Sequence, residues 1–416
     1  MPIYLDYNAT APIRPQVAQR ISELLAEPLN PSSVHGHGRR AKKLLEDARK
    51  TIAECISAFP NEIIFTATGT EANVMALTGF PQRRVLVNAV EHSSVLSSLR
   101  AKRSNPDWIA ASPSAPRDDI IPVHPSGLLN LDILDRMLSD QPPALVSIQL
   151  ANNETGIIQP IAEIAELCRK HGALLHMDAV QALGKIPVDF SLLGADMMTL
   201  SAHKMGGPVG AACLVIKQSL AIQPIFVGGQ ELRRRAGTEN IPAICGFAKA
   251  AELMDLSQMK TIRNWLDTME KIIASPFMGE ADSRSESEGV KLDMPSFPPS
   301  LTLPHKGGGY IVGESTPRLP NTSCIIMPGI SSEVQLMNAD LAGFAVSAGS
   351  ACSSGRVEPS HVLRAMGVPD ALAGCAIRVS AGWNTAPDEI QAYTKHWENT
   401  YCRLAKSSII PHPENS

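Results

Sequence analysis

The sequence predicts an α/β protein with a doubly wound, mostly parallel sheet, followed by a smaller C-terminal α/β unit. Three observations carry that expectation. From about residue 40 to residue 220, short apolar runs alternate with helix-like stretches, the pattern that parallel strand–helix–strand units produce. The runs are rich in β-branched or apolar residues and end at polar or glycine signals. After about residue 258 the composition changes, and regular patterning resumes only at Asn321.

In chain order, the expected strands are Glu62–Ala67, Arg84–Val90, Ala144–Ala151, Ala173–Ala179, Met197–Ala202 and Ala211–Ile216. Arg39–Ala58 and Ile161–Lys170 read as helices between them, and Gly172 stops the second. Met259–Ile273 is helix-like and leads into Ser275–Pro320, which is crowded with Pro, Gly, Ser and charge and reads as a loop or insertion. The last unit is expected from Glu333–Ala342, Pro359–Met366, Ala376–Ser380 and Pro387–Leu404. Sheets of this kind bind ligands at the carboxyl ends of their strands, so the loops after these runs are where chemistry should sit.

Composition narrows the function. The 416 residues are 44% hydrophobic, enough for a sizeable core, and carry a net charge of −4 without long like-charge blocks. That argues against a nucleic-acid or membrane-surface binder working by charge, and a 4% aromatic share disfavours a base-stacking platform. No segment approaches the apolar length of a membrane span, and MPIYLDYNATAPIRP lacks a secretory pattern. The eight cysteines are scattered without a CxxC pair, which reads as free thiols in a reducing cytoplasm.

The most informative stretch holds HMDAVQALGK (His176–Lys185) and TLSAHKMGGP (Thr199–Pro208). Asp178 ends one expected strand and Lys204 follows another. In a parallel sheet those ends share a rim, so a carboxylate and an amine face one ligand. Gly206 and Gly207 beside Lys204 permit close approach of a ligand, although a lysine in a loop is ordinarily a solvated charge. Pyridoxal phosphate chemistry needs this pair: a lysine for the Schiff base and an acid to keep the pyridine nitrogen protonated. It also needs phosphate donors. In TATGTEAN (Thr66–Asn73), Gly69, Thr70 and the free amides of a helix start form an anion site, or Thr70 simply caps the helix. His92, in AVEHSSV, follows another strand, where it stacks on a ring, shuttles protons or is merely structural. Asn153, in LANNETG, likewise follows a strand.

Together with YLDYNATAP, NPSSVHGHGRRA, RRRAGTEN, LPNTS, SAGSACSSG and IRVSAG, these segments run almost end to end. The chain resembles a fold-type-I pyridoxal-phosphate enzyme of the class V aminotransferase group. Within it, the chain looks like a cysteine desulfurase of the nitrogen-fixation and housekeeping kind. The resemblance implies a large domain of residues 14–258 and a small domain of residues 1–13 and 259–416, interrupted near 275–320. It implies pyridoxal 5′-phosphate bound through Lys204, with Asp178 at the ring nitrogen, Gln181 and Asn153 at the ring hydroxyl, and His92 over the ring. Gly69, Thr70, Ser201 and His203 would grip the phosphate, and Thr238 would reach the phosphate of a neighbouring subunit, hence a homodimer. Arg378 and Asn153 would bind the substrate, L-cysteine, the arginine as a planar fork on its carboxylate.

Cys352, in SAGSACSSG, is the expected nucleophile. Free cysteine is usually a small buried hydrophobe, and Cys168 and Cys213 lie in plausible core runs, but no apolar periodicity surrounds Cys352. Its thiolate would attack the substrate sulfur, release alanine and hold a persulfide for an iron–sulfur scaffold or another thiol acceptor. No resident metal is implied; Cys352 is the one residue open to a transient iron–sulfur contact. His35 and His37, in a glycine-flanked loop, are a weak ligand set and read as loop residues near the site entrance. HKGGGYIVG (His305–Gly313) has dinucleotide-like glycines but no expected strand before it. Two features depart from the family pattern: GWNT (Gly382–Thr385) after IRVSAG, and the length of Ser275–Pro320. The rival readings are a selenocysteine lyase, an aminotransferase that leaves Cys352 without a task, and a sulfur-relay scaffold with a degenerate site.

Overall fold

The computed structural model describes residues 2–104, 119–140, 144–275, 308–349 and 359–407. A short N-terminal strand, β1 (Ile3–Tyr4), precedes the main sheet. That sheet contains β2 (Ile63–Thr66), β3 (Arg84–Asn88), β4 (Ile120–Ile121), β5 (Ala144–Gln149), β6 (Leu174–Asp178), β7 (Met197–Ser201) and β8 (Ala212–Ile216). Their spatial order is β2-β8-β7-β6-β5-β3-β4. Both faces are covered, and residue parity shows it. Ile63, Phe65, Val146, Ile148, Cys213 and Val215 enter one apolar cluster, whereas Ile64, Leu145, Leu214 and Ile216 enter another on the opposite face.

The helices read as predicted where their apolar spacing is regular. In Ile161–Lys170 the buried residues are Ile161, Ile164, Ala165 and Cys168, one stripe at helical spacing. His171 closes that helix, and Gly172 follows in the left-handed conformation (φ 64°). The helix expected over Arg39–Ala58 runs instead from Gly36 to Cys55. Its extra turn begins because His35 caps it, its Nδ1 accepting from the Gly38 amide at 3.3 Å. His35 and His37 are therefore at a helix start, a correction to their reading as loop residues, and neither lines the cavity described below.

Pairing between β3, β4, β5, β6 and β7 is parallel, but β8 runs antiparallel to both β7 and β2. Two reversals restore β2 to the direction of β7. Thr66 and Ser201 both pair with Ala212, so the ends of β2, β6 and β7 lie on one rim.

The second sheet is built from β9 (Tyr310–Ile311), β10 (Thr322–Ile326), then, after β11 (Phe344–Ala345), from β12 (Ser347–Ala348) and β13 (Ala376–Ser380). It is antiparallel in the order β12-β13-β10-β9, while β11 pairs separately with β1. The helices Leu256–Ala274 and Pro387–Ser407 cover one face, packing Ile262, Leu266, Tyr393 and Trp397 against Leu5, Ile325 and Val379. On the other face Cys324, Ile326 and Ala376 share a cluster with Val90 and Ile157, which follow β3 and β5. Ser275–Pro320 is thus not irregular throughout: Tyr310 and Ile311 form an edge strand because burial rewards their apolar side chains despite the flanking glycines. Residues 276–307 lie outside the described residues.

Candidate active site

A cavity of about 300 Å³ opens at the rim where β2, β5, β6 and β7 end. Asp178, Gln181, Ser201, His203 and Lys204 line it from β6 and β7, His92 and Asn153 from the loops after β3 and β5, and Gly69 and Thr70 from the helix Gly69–Thr78. These residues come from stretches up to 135 positions apart in sequence (69 to 204), and the sheet order alone brings them together.

The helix start is built as an anion site. Thr68, not Thr70, is its cap: the Thr68 hydroxyl accepts from the Glu71 amide at 3.1 Å. This corrects the capping alternative for Thr70. The Gly69 and Thr70 amides, the first of the helix, have no intrahelical acceptor. A Cβ at Gly69 would come within 3.1 Å of Val180 Cγ2, so the glycine keeps this end of the cavity open.

Asp178 is buried, and both carboxylate oxygens are directed: Asn73 Nδ2 donates to Oδ2 at 2.8 Å, and the Val180 amide donates to Oδ1 at 3.0 Å. Lys204 Nζ donates to the carbonyls of Asn8 and Ala9 at 2.7 and 2.8 Å. Burial lowers this amine to about 8; Arg378 pushes the same way, and Asp6 and Asp178 oppose it. A lysine near 8 keeps a substantial neutral fraction at physiological pH. His203, whose Nδ1 lies 3.1 Å from the Thr10 hydroxyl, is pushed down to about 4 by burial and by Lys204 and Lys185. It is a neutral hydrogen-bonding group at pH 7.

Asn8 organises this region. Its carbonyl also accepts from Gln181 Nε2 at 3.0 Å, and its side-chain oxygen accepts from Lys185 Nζ at 2.8 Å. Lys185 further donates to Gln181 Oε1 at 2.6 Å. Fully enclosed, Lys185 is driven well below the usual lysine range by burial and by Lys204 and Arg378. Trp383, from the divergent GWNT segment, donates to the Pro12 carbonyl at 2.9 Å and stacks under Arg14. It thereby closes the N-terminal segment over the rim.

Arg378 sits in the middle of the second sheet, between Cys324 and Ser347. It is buried and outside the cavity wall. One terminal nitrogen donates to the Asn153 carbonyl at 2.9 Å, the other to Asp6 Oδ1 at 2.6 Å, and Nε has no partner among the described residues. Thr238 is exposed and does not line its own chain's cavity. Cys352 lies outside the described residues; Ser347, five positions before it, pairs with Arg378. Asp6, Asn8, Asn73, Ser94 and Lys185 were missed as site residues because each is an ordinary polar side chain until distant segments meet. The motifs DYNAT and QALGK were the available signal. Among the described residues no group of three or more His, Cys, Asp or Glu is placed to hold a metal.

The donor set fits the cofactor that the sequence resemblance implies. An anion-binding helix start, a directed carboxylate and a primary amine that burial makes easier to deprotonate share one cavity, as a phosphorylated pyridine aldehyde requires.

Comparison with known proteins places the chain in one family. The aminotransferase class-V family profile matches residues 3–277. A cysteine desulfurase of Cereibacter sphaeroides is 38% identical over 395 residues, 93% of this chain and 92% of the relative. The cysteine desulfurase IscS of Dictyoglomus turgidum is 35% identical over 396 residues, 93% of this chain and 91% of the relative. Among solved structures, a NifS-like protein from Rickettsia africae superposes with a TM-score of 0.80 at 33% identity, covering 97% of this chain and 100% of that one.

Proposed function

The chain belongs to the aminotransferase class-V family, and from that premise we propose that it is a cysteine desulfurase, taking sulfur from L-cysteine and releasing L-alanine. The observation that carries the reading is the meeting of Lys204, Asp178 and the Gly69–Thr70 helix start on one cavity. Pyridoxal 5′-phosphate, when bound, supplies an electron sink for the substrate's α-carbon.

The chain's own residues do the rest. Lys204 would hold the cofactor covalently, and its Nζ would accept the substrate's α-proton. Asp178 would hold the cofactor's ring nitrogen protonated, Gln181 and Asn153 would bind its hydroxyl, and His92 would contact the ring. Gly69, Thr70, Ser201 and His203 hold the phosphate. Arg378 binds the substrate carboxylate, with Asp6 as its resting partner. The Cys352 thiolate attacks the substrate sulfur, keeps it as a persulfide and passes it to an iron–sulfur scaffold or another thiol acceptor.

A homodimer completes the site, Thr238 serving the neighbouring phosphate. In support, Thr238 is exposed, and Phe226 and Val227, twelve and eleven positions before it, expose 55% and 88% of their surface. Among the described residues no helix is long and apolar enough to cross a membrane, and a reducing cytoplasm is the proposed setting for this thiol chemistry.

The test is turnover of the cofactor-loaded protein. L-cysteine with a thiol acceptor should give alanine and sulfide in equal amounts. Turnover of L-selenocysteine alone, or amino transfer without sulfide, would replace the desulfurase reading.

A further inference from the structure

His92 makes two contacts through the same ring nitrogen. The backbone amide of Ser94 donates to His92 Nδ1 at 3.1 Å, and the Ser94 hydroxyl lies 2.8 Å from the same atom. A backbone N–H is only a donor, so Nδ1 must accept and cannot carry a proton in this arrangement. The contact is also a helix cap: His92 precedes the helix Ser93–Ser104, and its ring satisfies an otherwise unpaired first-turn amide.

The hydroxyl is held in the same sense. Asn73 Nδ2 donates to Ser94 Oγ at 3.0 Å and to Asp178 Oδ2 at 2.8 Å. The Asn73 amide cannot be reversed, because its oxygen would then face the Asp178 carboxylate. Ser94 Oγ therefore accepts from Asn73 and gives its own proton to His92 Nδ1. Asn73 thus donates in two directions, to Asp178 on one side and through Ser94 to His92 on the other, and so links two expected cofactor contacts.

We infer that Asn73 and Ser94 are positioning residues that lock His92 as the neutral Nε2–H tautomer, so that it acts as a hydrogen-bond donor and stacking partner rather than as a base. This rests on the cofactor site proposed above. Nε2 has no partner among the described residues, while the ring lines the cavity. Protonating Nδ1 would break the helix cap, strand the Ser94 proton without its acceptor and place a cation at the positive end of a helix.

The surroundings pull in the same direction. Burial lowers the His92 pKa; Asp178 from β6 opposes this, and Lys204 after β7 and His361 from the helix His361–Ala365 reinforce it. Neighbouring Glu91, fully buried, is itself raised well above the carboxylate range.

The test is ¹⁵N NMR of the full chain, histidine-labelled, with and without pyridoxal phosphate, His92→Gln identifying the resonance. Wild type should show an unprotonated Nδ1 and a protonated Nε2 at pH 7 in both states. Ser94→Ala should raise the His92 titration midpoint by about one pH unit, since one of two donors is lost, and Ser94→Thr should restore it. A protonated Nδ1 in wild type would overturn the inference, as would an unmoved midpoint in a folded Ser94→Ala protein. If Ser94→Ala does not fold, the wild-type tautomer still decides. Failure to load the cofactor would sink the proposed site while leaving the tautomer result readable in the cofactor-free chain.

Discussion

Asp6 and Arg378, 372 positions apart in sequence, form an ion pair at 2.6 Å in which the arginine is buried and the aspartate partly so. The pair joins the N-terminal segment to the centre of the second sheet and occupies the arginine proposed to bind the substrate carboxylate. Asp6 is therefore a resident competitor, sharing the fork with the Asn153 carbonyl. Asp6→Asn keeps an acceptor but removes a like charge from the substrate's place. That is worth about 1 kcal/mol, roughly a fivefold fall in KM for L-cysteine. Arg378→Lys, which loses the fork, should raise KM by about tenfold or more. Steady-state kinetics of the two variants checks this, and a raised KM in Asp6→Asn would contradict the competition.

Lys204 sets a pH dependence. The neutral amine is the form that condenses with an aldehyde, and burial with Arg378 brings its midpoint from 10.5 to about 8. The rate of cofactor loading onto the cofactor-free chain should climb with pH and level off above about 8. Asp6→Asn should move the plateau lower, because Asp6 favours the charged amine. Absorbance-detected loading across pH checks both; a rate still climbing toward pH 10 would show an ordinary lysine.

Lys185 anchors Gln181 and Asn8 from below. Lys185→Met removes both bonds, yet it also removes a buried amine, so the fold should lose little stability. Gln181, without its anchor, should hold the cofactor about tenfold less tightly, the equivalent of one hydrogen bond. Dialysis of the loaded protein reads this, with a denaturant titration as control. Unchanged retention would remove Lys185 from the account.

The extent to which the sequence disclosed this site follows from the range of the interactions. Strands such as Ala144–Gln149 and Leu174–Asp178 were legible because they are buried on both faces and so read as continuous apolar runs. The carboxyl-end rule placed Asp178 and Lys204 correctly on one rim without any contact being known. The antiparallel β8 was not legible, because a buried strand looks the same in either direction. Nor was Asn8: its partners Lys185, Asn321 and Thr322 lie 177 to 314 positions away, and its local sequence carries no periodic signal. Cys352 stood out through the small-residue composition of its loop together with the family resemblance, and the described residues reach only Gly349 on one side and Pro359 on the other.

A site shared between two subunits, as proposed, can be tested at Thr238. Thr238→Ala should leave the monomer's fold intact, since the residue is exposed, but should speed cofactor loss from the dimer. Mixing Thr238→Ala with Lys204→Ala subunits should restore one intact site per heterodimer. Sedimentation and cofactor absorbance check this, and a wholly monomeric, fully loaded protein would contradict it.

The central claim, that a lysine-held cofactor and the Cys352 thiol act in turn on one amino acid, is tested most directly by peptide mass after brief exposure of the loaded protein to L-cysteine. One added sulfur atom should appear on the peptide carrying Cys352, and Cys352→Ala should keep its cofactor colour yet gain no sulfur. Sulfur found only on another cysteine, or undiminished alanine and sulfide production by Cys352→Ala, would contradict it.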